Sequence, residues 1–129
     1  MIEVEVKDAG GWIEIWGAWQ PAHIVQEPLR SGMRRVGRRL AQYPAKRPGQ
    51  TYERTGRLRD AWMGAAPFLQ GMNARMGVQT RYARYVQGQG MQAWMHKGRW
   101  MTDRQALDAE TPRITKDIDA AIERSLNNV

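Results

Sequence analysis

The sequence predicts an α+β domain in which helices pack on one face of a small antiparallel sheet. Three observations predict it. Apolar residues alternate with polar ones over Met1–Glu5 and again over Gly71–Thr80, the period of half-buried strands. They recur at steps of three and four over Val25–Leu40 and Leu107–Ser125, the period of amphipathic helices. Turn residues separate these runs, giving the order strands, helix, loop, strand, helix. The chain of 129 residues, 42% of them apolar, has the size of one domain with a real core. We take 1–129 as that domain, with an N-terminal hairpin at about 1–20 and a core at about 25–128.

The hairpin begins with Ile2 and Val4 set against Glu3 and Glu5. Ala9-Gly10-Gly11 supplies the turn, and Trp12-Ile13-Glu14-Ile15-Trp16 resumes a β-favouring run. After Pro21, Val25, Leu29, Met33, Val36 and Leu40 fall in one arc of a helical wheel, with Arg30, Arg34, Arg35, Arg38 and Arg39 on the opposite half. Pro28 is expected in the first turn of this helix, where its missing N–H is harmless, and Glu27 beside it suits the positive end of the dipole. The helix is expected to stop before Pro44, and Pro44–Gln50, with two prolines and a glycine, is read as a basic loop. Thr55 can cap a short helix or turn through Leu58 and Trp62. Met72, Ala74, Met76 and Val78 alternate as the next strand. Tyr82–Val86 is aromatic and β-branched, Gly88-Gln89-Gly90 turns, and Met91–Trp100 lacks any period and is expected as an ordered loop. In the last helix Leu107, Thr111, Ile114, Ile118, Ala121, Ile122 and Ser125 share a face, opposite Lys116, Asp119, Glu123 and Asn127. Pro112 starts this helix or kinks a longer one.

Chemistry-bearing constellations are sparse. The chain has no cysteine, which removes disulfides, thiolate metal sites and cysteine catalysis. His23 and His96 are far apart in sequence, and His96 lies in a stretch free of acids from Ala61 to Met101, so neither has local ligands for a metal. Ser31 and Ser125 fall inside predicted helices with no nucleophile-elbow context. Gly88-Gln89-Gly90 lacks the helix start and lysine of a phosphate loop. Asp117, Asp119 and Glu123 read as a solvated face. No catalytic residue, metal or cofactor is expected. Met1–Lys7 does not read as a signal peptide, and no apolar run of about 18 residues crosses a membrane, so a soluble protein made in a cytoplasm is expected.

The net charge of +7 is unevenly placed. A basic middle of +13 over residues 28–100 sits between acidic ends of −4 and −2. Such asymmetry suits nucleic acid, and it equally suits copies of one chain meeting positive face to negative face. Sixteen of the twenty basic residues are arginine, whose planar fork pairs with carboxylates and phosphates. No Glu or Asp is interleaved from Leu29 to Glu53, so pairing at i,i+4 along the helix cannot neutralise the arginine face. Six tryptophans and eight methionines exceed what a small core easily hides. Aromatics and methionine are enriched at interface centres, and the Trp94–Met101 loop is the segment expected to meet a neighbour.

Particular strings carry a resemblance. Tyr43-Pro44, followed by Arg47-Pro48-Gly49-Gln50-Thr51-Tyr52-Glu53-Arg54-Thr55-Gly56-Arg57-Leu58-Arg59-Asp60-Ala61-Trp62, resembles the "YP…Y-x-R-T-G-x-L…SW" core of tailed-phage neck proteins. These are the small tail-completion or head–tail connector proteins of long-tailed phages and prophages. Tyr82-Ala83-Arg84-Tyr85-Val86-Gln87-Gly88, Gln92-Ala93-Trp94-Met95-His96 and Gly98-Arg99-Trp100 are similar to that family's "YA-x-YV-x-G…Q-x-x-x-H-x-G-x-W" segment. The likeness covers about residues 25–128 and departs where Ala61-Trp62 stands for the family's Ser-Trp.

The resemblance implies a structural virion protein without catalysis, a subunit of a homo-oligomeric ring, commonly a hexamer, at the head–tail junction. Genomic DNA passes along the ring axis, with non-specific contact only. Neighbouring partners would be head-closure or connector proteins and tail-terminator or tail-tube proteins. Arg30, Arg34, Arg38, Arg47, Arg54 and Arg57 are the candidate subunit-facing or DNA-facing residues. Tyr52, Trp62, Tyr82, Tyr85, Trp94 and Trp100 are the candidate interface anchors. The rival readings are another small neck or tail ring protein (a head-closure protein or a tail terminator), a sequence-independent DNA-binding protein, and an enzyme built on a carboxylate cluster formed only in three dimensions.

Overall fold

A computed structural model describes residues 2–6, 22–44, 56–71 and 73–127. Its elements run β1 (Ile2–Val6), α1 (Ala22–Leu40), α2 (Arg57–Gly64), β2 (Phe68–Gln70), β3 (Asn73–Val78), α3 (Ala83–Gln87) and α4 (Asp103–Asn127). The expected α+β class is the one observed. The sheet has the order β1-β3-β2 and is antiparallel throughout, with Val4 opposite Met76 and Phe68 opposite Arg75. β3 is central because it can bury one face: Ala74, Met76 and Val78 point into the core while Arg75 is exposed. Gly71, directly after β2, has φ 59°, a backbone region that residues with a Cβ disfavour. β2 is a strand of three residues that periodicity does not flag. The Trp12–Trp16 run of the expected hairpin lies outside the described residues, as do Trp19, Thr55, Met72 and the basic loop beyond Pro44. The residue at the N-cap position of α2 is Gly56.

α1 forms around its apolar stripe. Val25, Leu29, Met33, Val36 and Leu40 are fully buried, and burying each such side chain stabilises by about 1.5–3 kcal/mol. The helix starts a turn earlier than the stripe, at Ala22, because Ile24 also packs against the core. Pro28 therefore sits inside the helix and not in its first turn, and the first turn carries no acid. The missing Pro28 N–H forfeits one helical bond, a loss the buried stripe outweighs.

α4 packs antiparallel to α1: Gly32 faces Ile114, while Arg35 and Arg39 both reach Glu110. The Gly32 position would bring a Cβ into collision with the Ile114 side chain, so this glycine sets how closely the helices approach. The helix runs through Pro112 without a break in its assignment. Its buried face is Ala106, Glu110, Ile114, Ile118, Ala121 and Ile122. Thr111, expected on that face, is exposed and donates its hydroxyl to the Leu107 carbonyl at 2.8 Å. Glu110 takes the inward place because arginines of α1 meet it there. Thr102 and Gln105 start α4 reciprocally: the Gln105 N–H donates to Thr102 Oγ1 and the Thr102 N–H to Gln105 Oε1, both at 3.0 Å.

The aromatic and β-branched run Tyr82–Val86 lies mainly in the short helix α3, which buries Ala83, Val86 and Gln87. Gln87 accepts the Trp62 indole N–H at 2.8 Å and donates to the Leu40 carbonyl at 2.6 Å, satisfying an otherwise orphan group at the end of α1. Residues 88–102 form turns without regular structure, as expected, and Gln92 Nε2 clamps them by donating to the Val86 and Trp100 carbonyls at 2.7 and 3.0 Å.

Candidate functional site

The arginines of α1 divide into three environments. Arg35 and Arg39, one turn apart, donate to opposite oxygens of Glu110 at 2.9 and 2.7 Å, and Arg35 also reaches Asp117 at 3.3 Å. Glu110 is buried. Burial alone would raise its pKa, but the hydrogen bonds and positive charges of Arg35 and Arg39 overrule that and hold the carboxyl below its ordinary value. Asp117 thus belongs to a network across two helices and is not simply solvated. Arg30 pairs with Glu27 at 2.7 Å on the helix surface, so an acid just upstream of the arginines compensates one of them. Such an exposed pair contributes little stability.

Arg34 and Arg38 differ. Both are exposed, and neither makes an ion pair or hydrogen bond among the described residues. They line a cleft of about 390 Å³ together with Met63 and residues 64–66 at the end of α2 and just beyond it. Two features build this cleft. Gly37 lets α2 come close to α1, since a Cβ there would lie 3.3 Å from the Trp62 carbonyl and 3.0 Å from the Met76 methyl. Gly64, Ala65 and Ala66 then leave the wall low, and a Cβ at Gly64 would meet only open space. Met63 is 59% exposed on the rim. Periodicity on α1 finds the two arginines, but Met63 and the small residues behind it become part of the site only through packing.

A second surface gathers apolar side chains around α3 and the loop after it. Tyr82, Tyr85, Met91 and Met95 are exposed, and Trp94 is 78% exposed. The Ala93 N–H donates to the Tyr85 carbonyl at 2.7 Å, which ties the loop to α3. The Arg84 guanidinium lies 4.8 Å from the centre of the Tyr85 ring and donates to its hydroxyl at 2.8 Å, fixing the ring.

The other expected anchors behave differently. Trp62 is buried, with its indole N–H satisfied by Gln87, so it is a core residue and not an interface anchor. Trp100 is half-buried, its ring 4.9 Å from that of Tyr43 and 6.2 Å from that of His96, so it props the loop from within. The Trp94–Met101 segment is accordingly split: Trp94 and Met95 face out, while Trp100 and Met101 pack against the core. Arg57 is exposed at the start of α2. Arg47, Tyr52 and Arg54 lie outside the described residues. Among the described residues no three His, Cys, Asp or Glu side chains gather as a metal ion requires, and no helix is long and apolar enough to cross a membrane.

Comparison of the chain with protein-family models, with curated proteins and with solved structures gives no match.

Proposed function

We propose that the chain is a structural virion protein, a subunit of a homo-oligomeric ring at the head–tail junction that joins capsid to tail while DNA passes through. The observation that carries this reading is the pair of open surfaces on one small domain. Arg34 and Arg38 stand in a cleft without a counter-charge among the described residues, and Tyr82, Tyr85 and Trp94 stand out from a loop that is otherwise clamped. A monomer gains nothing from ordering such side chains in water, whereas a subunit covers them with its neighbours. The ordered motifs Tyr43–Trp62 and Tyr82–Trp100, which resemble those of tailed-phage neck proteins, support the same role. The role is architectural, with no catalytic step and no cofactor. Neighbouring head-closure, connector or tail-terminator proteins would cover the faces that sister subunits leave open.

The reading is tested by deleting the gene from the phage or prophage that encodes it and supplying the protein in trans. The deletion is expected to leave full heads and finished tails unjoined in negative-stain micrographs, and the added protein to restore joining. Joined, infectious particles that lack the polypeptide overturn the proposal. A sequence-independent DNA-binding protein would instead bind duplex DNA as an isolated chain, with affinity falling steeply as salt rises.

A further inference from the structure

We propose that the Arg34/Arg38 cleft receives a second copy of this chain, seated through the Asp119–Glu123–Leu126 strip of its α4. The inference rests on the ring reading and names the contact that would close it. Asp119 and Glu123 are exposed and, like the two arginines, make no ion pair among the described residues. Each pair is spaced one helical turn apart, so the two rows of charge share a repeat of about 6 Å. Leu126, 41% exposed, continues the acidic strip at the i+7 position, as Met63 continues the basic one. Two acids and an apolar side chain are thus set against two arginines and an apolar side chain. Lys116 shares this face one turn before Asp119, and Arg124 is turned about 100° from Glu123, so the strip from Asp119 onward carries the two acids with the lysine at its near end.

Among the described residues the α4 strip of a chain does not pair with that chain's own cleft. α1 and α4 are antiparallel, with Gly32 at Ile114 and Arg39 at Glu110, so Asp119 and Glu123 lie toward the start of α1. Arg38 lies near its end, two residues before Leu40. Along the axis Glu123 is roughly 20 Å from Arg38 and Asp119 roughly 6–10 Å from Arg34 at 1.5 Å per residue, and neither pair forms an ion pair among the described residues. The contact joins two different surfaces, and in the ring reading it is made head-to-tail, so that every added copy leaves one cleft and one strip open until the ring closes. Concavity argues for this occupant over a nucleic acid: a cleft of about 390 Å³ takes inserted side chains, and a duplex backbone offers nothing apolar to Met63.

Charge exchange tests the pairing in the phage itself. R34E/R38E and D119R/E123R should each reduce joined particles roughly tenfold or more. The chain with all four substitutions should regain joining, because attraction is restored with the signs reversed. All four positions are exposed, so unfolding midpoints near that of the parent are expected and are measured first. A four-fold variant no better than R34E/R38E, with the parent polypeptide present in particles, overturns the pairing and leaves the ring reading standing. Absence of the parent polypeptide from particles overturns both. The lack of native cysteine gives an independent check. Particles carrying Arg38→Cys and Glu123→Cys in one chain should yield, on oxidation, a ladder of covalent multimers beyond the dimer, whereas either change alone stops at the dimer. Dimers alone from the double variant count against the pairing.

Discussion

Arg35 and Arg39 on one side of α1 are the same residue type at the same one-turn spacing as Arg34 and Arg38 on another. The first two converge on one buried carboxylate, and the second two converge on nothing within the described chain. Rotation about one helix axis separates the cases. Positions 35 and 39 fall toward the seam with α4, where Gly32 lets the helices touch and Glu110 points inward. Positions 34 and 38 fall beside the end of α2, in a region of sequence without acids from residue 61 to 101. Identical side chains thus serve two ends. The seam pair fixes how two helices register, and the cleft pair meets no counter-charge among the described residues. Counting arginines cannot distinguish these roles, whereas finding the counter-charge does.

The sharpest break in this comparison is removal of the seam carboxylate. Glu110→Gln leaves Arg35 partly buried with its main partner neutralised, and the loss is expected to be about 3 kcal/mol. Urea unfolding of the variant beside the parent measures it. Titration sharpens the result. The Glu110 carboxyl has a folded-state pKa below its unfolded one, so its contribution is present in full above the unfolded value of about 4.3 and is lost as pH falls through the lower folded-state value. The stability gap between parent and variant should therefore narrow in acid. A gap that stays constant down to pH 2 would assign the loss to packing rather than charge.

The seam can also be opened sterically. Gly32→Ala places a methyl against the Ile114 side chain and is expected to cost about 2 kcal/mol by overpacking. Because the same shift draws Glu110 away from Arg35 and Arg39, adding Gly32→Ala to Glu110→Gln should cost less than the two changes summed. Strict additivity would mean that close approach and ion pairing are independent.

Much of the scaffold was legible because its causes are local. The α1 stripe is written at steps of three and four, and all five of its residues are fully buried. The alternation in β3 likewise gives its inward face. The start of α4 is written as Thr-x-x-Gln at Thr102 and Gln105, a capping signal that a reading by periodicity passes over. What was not legible joins distant residues. Glu110 meets Arg39 across 71 positions and Arg35 across 75, and no window on the sequence contains both ends. The aromatic surplus misled for the same reason. Trp62 is core because Gln87, 25 positions on, satisfies its indole, while Trp94 finds no such enclosure. Of the candidate site, the arginine pair was visible on the helical wheel, and the cleft that frames it was not.

The smallest expected effect is the most discriminating. If Arg34 and Arg38 exist for solubility or fold stability, replacing them should be neutral or harmful to folding. Two like charges one turn apart on an exposed helix repel, by about 0.2–0.5 kcal/mol, and no acid among the described residues pairs with either. Arg34→Gln is therefore expected to stabilise the isolated chain by that amount at low salt. The gain should shrink at 1 M salt, where the screening length is about 3 Å. Arg35→Gln, at the same seam as Glu110, should do the opposite at either salt concentration. A pair that is held against a small folding penalty is what a surface kept open for a partner requires, since the charge becomes favourable only once the counter-charge arrives. Destabilisation by Arg34→Gln comparable to that by Arg35→Gln would place the cleft arginines among the scaffold residues and remove the distinction between the two sides of α1.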